Sequence, residues 1–138
     1  MIYQGKARYP VREAILDAAG VKSGWARGKS AFQVYTEINR WHVERGWAGF
    51  GYHALVMPDG TFYPGRPLHI IGAHCRERNR GTVGVLMIES AEITELKNFD
   101  DYFTEYQRET VKSFLWKIDG LERVSGHNDY ARNLYPGS

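Results

Sequence analysis

The sequence predicts an α/β (α+β) fold: one domain spanning 1–138, with a central mixed β-sheet and helices packed on its faces. Three observations predict it. Two segments carry helix start signals ahead of a 3–4 apolar repeat. Two short runs flank a Pro-Asp-Gly turn. Further β-branched, apolar runs lie between the helical patterns.

Arg12–Ala18 reads as a short strand, with Ala14-Ile15-Leu16 as its apolar centre, and a Gly/Lys/Ser-rich loop holding Trp25 follows. Ser30–Gly46 is the clearest helix. Ser30 and Gln33 fit a capping box, Ala31, Val34, Tyr35, Ile38, Trp41 and His42 share one face, and Gly46 is a left-handed stop. Gly51–Met57 and Thr61–Tyr63 flank Pro58-Asp59-Gly60 as a hairpin. Thr82–Ser90 reads as a central strand covered on both faces. Thr104–Asp119 is a second helix, capped by Thr104 and Gln107, that buries Val111, Phe114, Leu115 and Ile118. Glu122–Ser125 is a final strand, and the rest of the tail is loop.

Composition narrows the function classes. The 138 residues are 43% hydrophobic and 25% charged, ordinary for a soluble globular domain, and a monomer is expected. No run approaches the roughly 18 apolar residues of a membrane span, and the start lacks the apolar segment of a signal peptide. A single cysteine, Cys75, excludes an intrachain disulfide and points to a reducing interior. A net charge of +2 argues against a nucleic-acid partner. The basic run Arg76–Arg80 reads as a solvated loop, with phosphate or wall-polyanion contact as its minor alternative.

His127 and Asp129 lie in a polar loop, and Tyr135-Pro-Gly follows eight residues after His127. His53 follows Tyr52 on a strand and so should face the opposite way; it and His42 read as structural, the latter with a partly charged ring near a helix C-terminus. His69 reads as a surface residue. Cys75 beside His74 is disfavoured as a nucleophile because adjacent side chains rarely meet. Glu89 reaches the groove or caps a neighbouring segment. Trp41, Trp47 and Phe50 read as packing around the helix end.

Three stretches, INRWHVERGWAGFGYHALVMPDGTFYPGRP, IGAHCRERNRGTVGVLMIES and VSGHNDYARNLYPG, resemble in order and spacing the zinc-dependent N-acetylmuramoyl-L-alanine amidases of phage endolysins. These share their fold with the peptidoglycan-recognition proteins. The resemblance implies a groove for a glycan-peptide, with zinc held by two histidines and a cysteine. Three protein ligands leave one position for a water whose pKa the ion lowers to about 7.

Carried over by position, His127 stands at a histidine ligand and Tyr52 at the catalytic tyrosine. Asp17 replaces the other histidine, Tyr135 the cysteine, and Asn133 a lysine that would stabilise the amide oxygen. A carboxylate can bind zinc, but a phenol with a pKa near 10 is a poor donor. The resemblance therefore implies a disrupted metal site. Asp17, Tyr52, His127 and Tyr135 are the candidate catalytic residues. Trp25, His74 and Asn133 are candidate ligand contacts, and His127 with Asp17 are the remaining metal donors.

Changes confined to the metal position suggest a pocket repurposed, naturally or by engineering, for small-molecule binding or metal-free acid–base chemistry. No cofactor is expected, and zinc enters only if the altered set still binds it. The alternatives are an active amidase with a non-standard zinc site and a non-catalytic module that binds peptidoglycan or, as some phage members do, RNA polymerase. The partner in the groove is a peptidoglycan fragment or a small molecule. The expected location is the host cytoplasm, with access to the wall after lysis or holin action.

Overall fold

The computed structural model describes residues 1–22, 24–90 and 102–126. A two-stranded ribbon, β1 (Tyr3–Gln4) and β2 (Tyr9–Pro10), precedes β3 (Glu13–Ala18). Then come α1 (Ala31–Glu44), β4 (Ala54–Val56), β5 (Phe62–Pro64), β6 (Thr82–Met87), α2 (Glu105–Trp116) and β7 (Arg123–Gly126). The main sheet has the order β5-β4-β6-β3-β7, with β4, β6, β3 and β7 parallel and β5 antiparallel at one edge. It is the mixed sheet with helices on its faces that the sequence predicts.

Both helices start where expected. Ser30 accepts the Gln33 backbone N–H while the Gln33 side chain accepts the Ser30 N–H, and Thr104 with Gln107 repeats the arrangement. Gly46 takes φ +88° just past α1, which a side chain would resist. At the hairpin, Gly60 N–H donates to Met57 O and Asp59 Oδ1 accepts the Thr61 N–H. The paired strands are shorter than predicted, because Gly51–His53 stay outside the ladder and only Ala54–Val56 pair with β5. The β1–β2 ribbon is an addition to the predicted elements.

The strands alternate between two apolar layers. Leu16, Ala54, Val56, Val83, Val85 and Met87 face the α2 side, against Val111, Ile118, Tyr102 and Phe103. Leu55, Met57, Leu86 and Ile88 face α1, against Val34 and Ile38. Burial on both faces explains why β4 and β6 read as unbroken apolar runs. Gln107 locks α2 to the sheet: its fully buried Nε2 donates to Val56 O at 3.2 Å and Ile88 O at 2.7 Å.

With Leu16 in the α2 layer, its strand neighbours Glu13, Ile15 and Asp17 belong to the α1 side. α1 packs on β4 and β5. The part of that face formed by β3 and β7 carries the polar residues.

Candidate functional site

Asp17 sits near the carboxyl end of β3. Its Oδ1 accepts the Ala18 N–H at 2.9 Å, and its Oδ2 accepts the Tyr52 hydroxyl at 2.8 Å. Tyr52 is buried, and its phenol pKa is raised well above the usual value. Burial is the main cause, followed by the Asp17 charge and the hydrogen bond itself. The phenol is therefore a neutral donor at physiological pH.

His74 extends this pair. Its ring lies 6.0 Å from that of Tyr52, stacked at 30°. It rests on the bare backbone of Gly84, where a Cβ would come within 2.4 Å of His74 Cγ. The Thr82 hydroxyl gives its proton to Arg78 O (2.7 Å) or Asn79 O (3.1 Å), so it receives one from His74 Nε2 at 3.1 Å. That bond sets the tautomer. Asn79 Oδ1 accepts both the His74 and the Cys75 N–H, at 2.8 and 2.9 Å, and shapes the loop. The loop walls a cleft of about 540 Å³ lined by Trp47, Ala73, His74, Cys75, Arg76 and Asn79.

Cys75 is buried, and its thiol pKa is raised by desolvation and then by the Asp17 charge. A thiol held protonated is a weak nucleophile, in line with the sequence expectation. Glu89 takes the capping role: its carboxylate accepts the Ala19 and Gly20 N–H groups at 3.2 and 2.9 Å, fixing the chain just after Asp17. Burial raises its pKa.

Asp17, Tyr52 and His74 are thus brought together. The ring contacts of Trp25 lie elsewhere, with Trp41 at 5.4 Å and Lys29 Nζ at 3.9 Å, on the α1 layer. His127, Asp129, Asn133 and Tyr135 lie outside the described residues.

Three expectations need correction. His42 is structural but not charged: it is buried, its Nδ1 accepts the Gly51 N–H at 3.0 Å, and burial followed by Arg45 lowers its pKa to about 4. His53 does not face away from Tyr52. The two precede β4, where strand alternation has not begun, and their rings lie 5.8 and 6.0 Å from His74. His53 is still structural, accepting the Gly84 N–H at 3.0 Å on Nδ1 and donating from Nε2 to Ile70 O at 2.8 Å. Trp47 packs at the helix end as expected, its ring 4.4 Å from that of His42, but it lies exposed on the cleft wall rather than in the core. His69 is exposed, as expected.

For a metal, the geometry among the described residues is unfavourable. No three His, Cys, Asp or Glu side chains converge there. Asp17 is one suitable donor, but it already accepts the Tyr52 hydroxyl, and His74 is turned onto Thr82. The described residues do not by themselves fit a zinc site.

No family model matches the chain. It is 35% identical over 105 residues to the endolysin of Enterobacteria phage T3, covering 72% of this chain and 67% of that protein. It is also 35% identical over 79 residues to the endolysin of Escherichia phage T7, covering 57% of this chain and 51% of the relative. The chain therefore spans about half to two thirds of the length of these relatives.

In fold it is similar to the N-acetylmuramoyl-L-alanine amidase LysC from Clostridium intestinale, with TM-score 0.67 and 22% identity over 94% of this chain and 78% of that one. It is similar too to a mutant of Drosophila PGRP-LB in complex with tracheal cytotoxin, with TM-score 0.70 and 20% identity over 94% and 74%. Fold and relatives define an amidase-type, peptidoglycan hydrolase-like domain. The chain belongs to the phage endolysin family.

Proposed function

We propose that the groove binds a peptidoglycan fragment, a muramyl peptide, in a pocket from which the family's zinc chemistry has been dismantled. The observation that carries this reading is the 2.8 Å hydrogen bond from Tyr52 to Asp17. Asp17 stands where the resemblance expects a metal-binding histidine. There it accepts a hydrogen bond from the hydroxyl of the tyrosine that the resemblance places at the reacting amide. Asn133 and Tyr135 extend the same change, by the resemblance, to the lysine and cysteine positions.

The pair offers a carboxylate acceptor and a phenol donor side by side, complementary to the N–H and C=O of a peptide. Tyr52, reoriented, donates to a ligand carbonyl while Asp17 accepts an amide N–H. Metal-free acid–base chemistry, if the pocket supports turnover, would use Asp17 as the base, within reach of a bound proton. The solved neighbour in complex with tracheal cytotoxin supports a peptidoglycan-derived ligand. Polymerase binding and a monomeric state stay as expectations, tested by pull-down and by sedimentation.

The test is calorimetric titration of a muramyl tripeptide into chelator-treated protein, with elemental analysis of the untreated protein. Saturable binding that survives the chelator and is lost in Asp17→Ala supports the reading. Stoichiometric zinc with wall-clearing activity that the chelator abolishes would overturn it in favour of an amidase with a non-standard metal set. The triple change Asp17→His, Asn133→Lys, Tyr135→Cys is expected to gain zinc.

A further inference from the structure

At the other end of the sheet, the amino-terminal ends of β3, β6 and β7 border a cleft of about 610 Å³. Glu13 is registered with Thr82 on one side and Arg123 on the other. It lies four residues before Asp17, roughly 13 Å at strand spacing. Four arginines, Arg12, Arg78, Arg80 and Arg123, line the cleft with two carboxylates, Glu13 and Glu122.

The carboxylates are committed. Buried Glu13 accepts from Arg78 at 2.6 Å, from Arg123 at 2.9 and 3.1 Å, and from the Ser125 hydroxyl at 2.6 Å, so it draws two guanidiniums to one carboxylate. Glu122 pairs with Arg12 at 2.8 Å through a single Nη. Arg80 has a different partner. Its guanidinium lies 5.3 Å from the centre of the Tyr9 ring, and among the described residues it donates no hydrogen bond. Among the described residues, four guanidiniums and two carboxylates line this one concave site.

We propose that this cleft is a binding site for a phosphate or pyrophosphate group of a small ligand. A phosphate monoester carries close to two negative charges at neutral pH, which suits a cleft lined by four guanidiniums. Planar guanidiniums bind its oxygens in pairs, a geometry that a lysine cluster does not offer. Stacking on Tyr9 holds Arg80 in place before a ligand arrives, so less side-chain freedom is lost on binding. Glu13 holds Arg78 and Arg123 in the same way. The basic run Arg76–Arg80, which reads from sequence as a solvated loop, thus supplies two of the four cations of a built site. The site is separate from the Asp17 groove and stands whether or not the groove binds a muramyl peptide.

The test is a titration of the full 15N-labelled chain with inorganic pyrophosphate, followed through the arginine Nε–H signals. Saturable one-to-one shifts are expected on Arg12 and Arg80 and on the Gly81 and Thr82 amides. Binding should weaken at least tenfold in Arg80→Ala, less in Arg80→Lys and Tyr9→Leu, and stay unchanged in Asp17→Asn. It should also weaken steeply with added salt. Weak, unsaturating shifts on every exposed arginine, Arg40 included, and unaltered by Arg80→Ala, would overturn the proposal. So would a phosphodiester polymer that binds where pyrophosphate does not. Thermal melts of each variant show whether the fold is kept, and Tyr9→Leu tests the stacked arrangement without removing a charge.

Discussion

The Tyr52 hydroxyl donates to Asp17 Oδ2 at 2.8 Å, joining the segment before β4 to the end of β3. Burial and this carboxylate together hold the phenol proton. Replacing Asp17 with Asn keeps an acceptor but removes the charge. The Tyr52 pKa should then fall, while staying above 10 because burial remains. Absorbance titration of the phenolate in the two proteins, with Tyr52→Phe as the blank, measures the difference. A phenol whose folded pKa exceeds its unfolded one contributes stability below about pH 10 that is lost as pH rises further. Alkaline unfolding should start at lower pH in the wild type than in Tyr52→Phe.

His42 gives the opposite dependence. Its imidazole is held neutral, with a pKa of about 4 against the usual 6.5. A base depressed on folding contributes stability above its unfolded pKa, lost as pH falls through the folded one. The window is therefore about pH 6.5 to 4, and the full effect is on the order of 3 kcal/mol. Urea unfolding at pH 7 and pH 4 should show a smaller loss in His42→Gln than in the wild type. Equal losses in the two proteins would assign acid sensitivity to other groups.

Gly84 is the seat of His74. An added methyl would meet the imidazole at 2.4 Å from Cγ, so Gly84→Ala must push the ring off the Thr82 hydroxyl. A cost of about 1–3 kcal/mol is expected for overpacking at such a site. The loss should appear as a lower melting temperature together with a displaced His74 ring resonance and weaker ligand binding in the groove.

Glu89 accepts two successive backbone N–H groups beyond β3. Glu89→Ala leaves both without that partner and should cost about 2 kcal/mol. Hydrogen exchange at Ala19 and Gly20 should quicken, while amides of α2 stay protected. Uniform quickening across the chain would mean that Glu89 supports the whole fold rather than the loop after Asp17.

Much of this was legible in the sequence because the signals are local. Ser30 with Gln33 and Thr104 with Gln107 announce their helices through chemistry three residues apart. The apolar runs at β4 and β6 follow from burial on both faces. What escaped depends on contacts between distant residues. The charge state of His42 is decided by burial and by Arg45, and helix position alone suggested the reverse. The shared approach of Tyr52 and His53 to His74 depends on where β4 begins, a boundary that composition does not mark. Glu13 reads as an ordinary strand-start residue, yet it gathers Arg78, Arg123 and Ser125 from sites up to 112 residues away.

Gln4 belongs to that long-range group. Its fully buried side chain donates to Leu68 O and Thr82 O and accepts from Gly81 N–H, so the loop carrying His74 is fastened near both its ends by the fourth residue of the chain. A protein made from its amino terminus must hold this fastener unused until nearly eighty further residues have emerged. Trimming those first few residues would unbutton the His74 loop from the far side, with Asp17, Tyr52 and His74 themselves unchanged.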